Sequence, residues 1–522
     1  MKNWQASFTL TPISPIHIGA GQDLDPTQYV IHDNLIHHYT HLQMYQALPA
    51  STLEQLGKLA ENARTADDQL TLNGMIHQHK EKLAQHAAFQ FLVSPALSSR
   101  YEATINKTAH TGNKSQNKLE LIRHIHNPIN QQAYIPGSSL KGTIRTAITN
   151  TLTLKAGLKA SPKHKADAIQ KELLNYEKVD QDPFKRLKIS DAQSPAPIQK
   201  FQICTNYHKK AEKNSGGIPV NIETTQIGSH FEFQAQFKLY DFDRQKNDNN
   251  TFYTEPESIV ADLNRFYLPQ LQTQLEQWQN DKRIDSQWLK HIQSLMDNLK
   301  TAIMQNQIAI VRLGHYAGAL SKSWTQLRQI ENRKVKDKND PDKYMQDTHT
   351  FWLSEDHKPL GWAIISLKND NSDTIPALLK DFIALFSEAD KQKLVEIETL
   401  KHNYAEQKRL NELEQKRLEE AQKRREQAEK EKHAKLQSMS PNQQAIFKLE
   451  ETFEQEKAHN LQNPAGELRQ QINNLIDQAH QQAWSPEDKE TLKKLCLAIF
   501  DYWSINPKKN AKVKDKLKLL NS

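Results

Sequence analysis

The chain has 522 residues, 37% of them hydrophobic and 25% charged, and its 69 Lys and Arg against 62 Asp and Glu leave a formal net charge of +7. That length is room for about three domains and a sizeable core, and that charge suits a basic patch while excluding a uniformly basic surface. Two distant cysteines, Cys204 and Cys496, exclude a disulfide scaffold and a cysteine zinc site; the lack of ~18 consecutive apolar residues or a signal-like start makes the cytoplasm the expected compartment.

Ser7 to Ile18 alternates loosely and reads as a strand running into the turn His17-Ile18-Gly19-Ala20-Gly21. Tyr29-Val30-Ile31, Asp33-Asn34 and Leu35-Ile36 predict a hairpin. Thr52 to Leu97 is rich in Ala, Leu and Gln and predicts a helical insertion near 45–95. Tyr134-Ile135 reads as a short strand stopped by Pro136-Gly137, with a helix from Ser138 or Ser139 to about Leu154. Lys155 to Lys188 reads as a solvated connector. Phe231, Phe233, Ala235, Phe237 and Leu239 recur with period two, the clearest strand signal in the chain. Glu257 to Gln307 reads as helices, Ile308 to Leu313 as a strand entering Gly314-His315-Tyr316-Ala317-Gly318, and Gly361 to Leu367 as a last buried strand.

Near residue 390 the composition changes. Residues 1–375 mix strands and helices, an α+β core with insertions near 45–95 and 257–307; residues 391–438 predict one highly charged helix and 441–522 a small helical domain with a basic tail. Glu412/Lys416, Glu419/Lys423, Glu420/Arg424, Glu426/Lys430 and Glu431/Lys435 are Glu-to-cation pairs at i,i+4, each worth ~0.2–0.5 kcal/mol. Leu400, Leu410, Leu413 and Leu418 hold no heptad register, so the pattern favours a single exposed helix over a coiled coil.

The most informative stretch runs from Tyr134 through Ile-Pro-Gly-Ser-Ser-Leu-Lys-Gly-Thr-Ile to Arg145. A serine can cap the helix after Pro136-Gly137. Leu140, Ile144, Ala147 and Ile148 make one apolar stripe, and Lys141 and Arg145 stack on another face. Free N–H groups, hydroxyls and two cations suit a phosphate; a capped helix with two surface cations is the plainer account of the same residues. It is not a nucleotide P-loop, because Gly142 is followed by Thr143.

These residues resemble the signature of the RAMP superfamily, the repeat-associated RNA-binding proteins of CRISPR systems. His17–Gly21, Asp25–Asn34, Ile189-Ser190-Asp191, Leu313–Gly318 and Leu360-Gly361-Trp362 resemble further family segments in the expected order, over about residues 1–370. The combination is most similar to the subunit that caps the guide 3′ end in type III-A (Csm) effector complexes. The resemblance implies a ferredoxin-like, RRM-like core with helical insertions, followed here by an all-α extension outside the family pattern. It implies a non-catalytic, structural CRISPR RNA-binding subunit for antiviral defence, which also aids guide maturation. The partners implied are guide RNA, target RNA indirectly, the other type III subunits (above all the repeated backbone subunit) and host maturation nucleases, with no membrane, metal or cofactor. The implied RNA-binding residues are Gly137, Ser138, Ser139, Lys141, Arg145, His17, Arg312, Gly314 and His315.

Other assignments stay open on sequence alone. His17 fits a hydrogen-bonded core histidine as well as an RNA-facing one. Tyr316 and Tyr134 are stacking candidates, with a core role favoured for Tyr134. His32, His37, His38 and His41 suggest a metal only weakly, since no cysteine or carboxylate pair accompanies them. Tyr207 to Lys213, with His208, Lys209 and Lys210, fits an RNA-touching loop or a solvated turn. A competing function, a metal-dependent endoribonuclease of the same superfamily acting on guide precursor or target, would work through Asp25 or Asp23; a second is an assembly scaffold acting through the C-terminal arm.

Overall fold

The computed structural model describes residues 2–105, 119–160, 165–209, 217, 219–239, 252–332, 335–337, 340, 343–368, 374–482 and 484–521. Strand Phe231–Phe237 buries Phe231, Phe233, Ala235 and Phe237 on one face and turns Glu232, Gln234 and Gln236 to solvent, as its period requires. It lies antiparallel between Trp4–Pro12 and Leu187–Ile189. Beyond Trp4–Pro12 come Trp362–Leu367 and then Ile308–Arg312, again antiparallel. Helix Gly137–Lys155 follows the first strand in sequence, and helix Pro256–Trp278 follows the third. The result is strand–helix–strand–strand–helix–strand with order 4-1-3-2, the ferredoxin-like arrangement, carrying Ile308–Arg312 as an added edge.

The apolar stripe of the first helix, Leu140, Ile144, Ala147 and Ile148, is buried in one cluster with Phe8, Leu10, Phe231 and Phe233 from the sheet and Leu263 and Phe266 from the second helix. The helix begins at Gly137 with Pro136 as its cap residue, and no serine side chain caps it. The predicted strand at Tyr134-Ile135 reduces to a single bridge, Ile135 to Ala192.

A second, mixed sheet runs in the order Gly19–Leu24, Leu121–His124, Val220–Thr225, Gln199–His208, Phe89–Val93, Leu35–His38, Tyr29–His32, with Thr350–Leu353 paired to the end of Gln199–His208. The predicted hairpin is there, turning on Asp33 and Asn34 at φ 50° and 56°, the left-handed pair of a type I′ turn. The stretch expected to be helical holds helices His41–Ala47, Ala50–Asn62, Ala66–His77 and Lys80–His86, then strand Phe89–Val93, which pairs on both sides. The connector after Lys155 contains helix Ala166–Leu173 and two short 3-10 turns.

The chain divides into two compact units, Met1–Tyr404 and Ala405–Ser522. Helix Thr374–Ser438 contributes to both. In the first unit its Ile397, Leu394 and Leu400 pack with Leu35, Leu92 and Ile198. In the second, every described side chain from Ala405 to Lys435 is exposed. Among the described residues none of the five expected Glu-to-cation pairs is closed; Gln422 instead bonds Glu426 at 3.1 Å and Gln427 bonds Glu431 at 3.3 Å. Helices Pro441–Ala458, Glu467–Gln481, Pro486–Tyr502 and Ala511–Lys518 enclose a core of Leu449, Phe453, Leu468, Ile472, Cys496 and Phe500. The expected basic tail is therefore partly a packed helix, with Val513 and Leu517 in that core and Lys516 paired to Asp477. Among the described residues no helix is long and apolar enough to cross a membrane.

Candidate functional site

Gly137 sits where no other residue fits. A Cβ there would lie 2.4 Å from the carbonyl oxygen of Ile189 and 2.8 Å from that of Ser190, so the glycine lets the backbone after the short edge strand cross the helix start. That crossing brings Asp191 to the helix, and its Oδ1 accepts the Gly137 N–H at 2.7 Å. The first amide of the turn expected to face a phosphate is thus already bonded to a carboxylate. Ser138 is exposed, Ser139 and Lys141 are half-buried, and Gly142 faces open space.

The two signature cations differ in their commitments. Arg145 is held on all sides: Nε donates to Gln170 at 2.7 Å, Nη1 to Asp182 at 2.6 Å and Nη2 to the Tyr176 hydroxyl at 3.2 Å, with the guanidinium 4.6 Å over Phe184. It pins the connector to the helix. Burial lowers the pKa of Lys141, with Lys188 and Arg145 adding to the effect and Asp182 opposing it. Lys188 itself is exposed on the edge strand, so Lys141 and Lys188 are the cations left available beside the serines.

His17, Gly314 and His315 come together through the backbone. His315 N–H donates to the His17 carbonyl at 2.9 Å, and a Cβ on Gly314, whose φ is 101°, would lie 2.5 Å from that same oxygen. His17 is 3% exposed and its Nδ1–H donates to the Glu223 carbonyl at 2.7 Å, which makes it a core histidine; burial lowers its pKa. His315 is exposed and meets Tyr316 edge-on at 4.7 Å; Tyr316 continues to His17 at 5.4 Å and Trp352 at 4.5 Å. Arg312, implied to line an RNA face, is 5% exposed, bonds the Leu360 carbonyl at 3.1 Å and Gln274 at 3.2 Å, and lies over Trp362. It ends strand Ile308–Arg312, all five of whose residues are buried, and its side chain turns inward to those acceptors.

The second sheet hides a network that no motif announced. Glu223, 0% exposed, takes Arg123 Nε at 2.8 Å and Nη2 at 3.3 Å, the His124 N–H at 3.1 Å and Gln199 Nε2 at 2.7 Å. Arg123 also donates to Gln131 at 2.7 Å and stacks over Phe91 at 4.7 Å. Through Gln131 and through Gln199, which accepts the Ala133 N–H at 3.0 Å, this network fixes the loop 126–133. Ladder bonds join that loop to the rest: Ile125 N–H to the Ile18 carbonyl at 2.7 Å and Tyr134 N–H to the Ile125 carbonyl at 3.4 Å. Between the loop and Asp191 lies a pocket of ≈ 250 Å³, and Tyr134, expected in the core, lines it.

His37 and His38 are each lowered to about 4 by burial, and His38 stacks on Phe89. His32 Nε2 lies 3.4 Å from Asp33, and the His32 carbonyl accepts from His37 Nε2 at 3.2 Å. Among the described residues no three His, Cys, Asp or Glu side chains converge as a metal site. Asp25 accepts both the N–H and the hydroxyl of Thr27, at 2.8 and 2.7 Å, and Asp23 is exposed on strand Gly19–Leu24. In the loop after His208, Lys209 pairs with Asp347 at 2.6 Å, while Lys210 and Lys213 lie outside the described residues.

The family description "RAMP superfamily" matches residues 9–318, more than half of the chain. Among solved structures, a chain of a Csm–crRNA–target RNA ternary complex of a type III-A CRISPR–Cas system has a TM-score of 0.45 and 16% identity, covering 70% of this chain and 100% of that one. The crystal structure of T. onnurineus Csm5 has a TM-score of 0.40 and 16% identity, covering 68% and 99%. No curated protein matches.

Proposed function

The chain belongs to the RAMP superfamily, and from that premise we propose that it is a CRISPR RNA-binding, non-catalytic structural subunit of a type III-A (Csm) complex, capping the backbone at the guide 3′ end. The observation that carries the reading is the start of the signature helix, where Ser138, Ser139, Lys141 and the facing Lys188 are accessible while Arg145 serves the scaffold. Contacts of this kind address phosphates and carry no base information, which suits a guide whose spacer varies. Gly314 and His315, tied to His17, extend the same surface role, with Tyr316 as a stacking neighbour. The non-catalytic part of the reading is supported by the setting of Asp25, which has Oδ1 engaged by Thr27 and, among the described residues, belongs to no cluster of three side chains that could hold a metal. Its working place is the cytoplasm, its partners are guide RNA, the repeated backbone subunit and host maturation nucleases, and it aids guide maturation.

The test is RNA capture by the assembled complex. Lys141→Glu with Lys188→Glu should cut affinity for single-stranded RNA about tenfold or more and flatten its salt dependence by roughly 0.7 for each phosphate no longer neutralised. Asp25→Asn should leave RNA cleavage by the complex unchanged. A folded, assembled complex that holds no guide RNA would overturn the reading, and cleavage abolished by Asp25→Asn with binding intact would make the chain a nuclease.

A further inference from the structure

The pocket between loop 126–133 and Asp191 has a chemistry that the backbone-directed role leaves unused. It measures ≈ 250 Å³, and its lining includes His126, Asn130, Gln132, Tyr134, Asp191 and Gln193. Among the described residues no Lys or Arg lines it, and its carboxylate, Asp191, repels a phosphate. The size is below the ~300–1,000 Å³ of sites that enclose a drug-sized ligand and suits one ring system. Two rings able to stack, Tyr134 and His126, belong to its lining, and Ile129 stands 84% exposed on the same loop.

Several of the polar groups around it are held in place. Asn130 and Gln132 bond each other, Asn130 Nδ2 to Gln132 Oε1 at 3.0 Å and Gln132 N–H to Asn130 Oδ1 at 3.0 Å. Gln131, at φ 59°, is held by buried Arg123. The walls are thus set before anything binds, which lowers the ordering cost of binding. His126 donates its Nδ1–H to the His124 carbonyl at 2.8 Å, which leaves Nε2 a bare acceptor on the neutral ring; burial, with Arg123 adding to it, keeps that ring's pKa low. Asp191 spends Oδ1 on Gly137 and keeps Oδ2. Amide and hydroxyl groups on the lining can donate as well as accept; the groups that can only accept are Asp191 Oδ2, on its one carboxylate, and His126 Nε2, and these two call for a ligand edge that donates.

We propose that this pocket holds one unpaired nucleobase bearing an exocyclic amino group (adenine, cytosine or guanine) and discriminates against uracil. The amino group donates to Asp191 Oδ2 or His126 Nε2, whereas uracil offers a single N3–H flanked by two carbonyls that those acceptors repel. The proposal rests on the RNA-binding reading and adds a base-reading position to it, placed beside the phosphate-directed helix start through Asp191.

The test uses the full-length chain and fluorescence anisotropy with labelled oligouridine, unsubstituted or carrying a single central A, C or G. The expected result is binding about tenfold tighter for at least one substituted oligonucleotide, within the range stacking and a specific contact supply. Tyr134→Leu should remove that gain and leave oligouridine affinity unchanged. Asp191→Asn keeps an oxygen for the Gly137 N–H and replaces the other by a donor, so it should erase or invert the preference. Equal binding of all four RNAs by the wild-type chain overturns the base pocket and leaves the RNA-binding reading standing. If no RNA binds, the RNA-binding reading fails on its own, and saturation-transfer NMR with free nucleosides decides the pocket. Signals from adenosine, cytidine or guanosine that vanish in Tyr134→Leu support it; their absence overturns it.

Discussion

The two sheets of the first unit solve the same burial problem with opposite materials. The ferredoxin-like sheet buries hydrocarbon: all of Ile308–Arg312 and of Trp362–Leu367 is buried, and the polar members are Arg312 and Ser366. The second sheet buries polar groups: Gln202, Glu223, Thr224, Thr225 and His124 are at or near 0% exposure, and Arg123 is at 3%. Apolar packing tolerates exchanges of similar shape and volume, whereas a buried ion pair holds only if each bond is made. The sheet that carries the pocket loop is therefore the more sharply positioned of the two and the less forgiving.

The largest effect should come from Glu223→Ala, which strands buried Arg123 and should cost about 3–5 kcal/mol in urea unfolding. Replacing both partners, Arg123→Met with Glu223→Leu, should recover most of that while freeing the 126–133 loop; a double variant as damaged as the single one would break the contrast between the sheets. Acid should come next. His37, His38 and His124 are each pushed from 6.5 to about 4 by burial, so as pH falls from 6.5 toward 4 the unfolded chain binds protons that the folded chain refuses. Stability measured by urea unfolding should drop through that window. Each tenfold weakening of a histidine's proton affinity on folding sets a ceiling of about 1.4 kcal/mol on its part of the drop, and His124→Asn should make the drop shallower. Arg145→Lys, which loses a three-way fork at a partly exposed site, should cost roughly 1–2 kcal/mol and loosen the connector, seen as faster amide exchange over Ala166–Leu173. Least of all, Ile364→Val in the apolar sheet should cost about 0.5–1.5 kcal/mol with RNA binding unchanged.

The same contrast explains what could be read in advance. Phe231–Phe237, Ile308–Arg312 and Trp362–Leu367 announce themselves because their buried positions are apolar. Gln199–His208 and Val220–Thr225 read as polar, since their buried positions include Gln199, Gln202, Asn221, Glu223 and Thr224, so no hydrophobic period marks them. At the site, Gly137 and Lys141 were legible from the signature. The partners of Arg145 lie 25 to 37 residues downstream, and Asp191, which occupies the helix start, lies 54 residues from Gly137. Such pairings follow from the close approach of two backbones and leave no local pattern. The helical reading of Thr52–Leu97 missed Phe89–Val93 because a five-residue apolar run beside helices carries too few periods to separate the two.

The exposed helix from Ala405 to Lys435 has one further consequence. With no described side chain buried along it, and only Lys432 (paired to Glu451) and Lys435 (5.3 Å over Phe447) tying its far end to the next helix among the described residues, its turns open at little cost compared with the packed helices that follow. Dense in Lys and Arg, it is also a run of tryptic cleavage points. Brief digestion of the native protein should therefore sever the chain there first and leave a resistant fragment spanning 441–522, whose ordered helices keep the enzyme out.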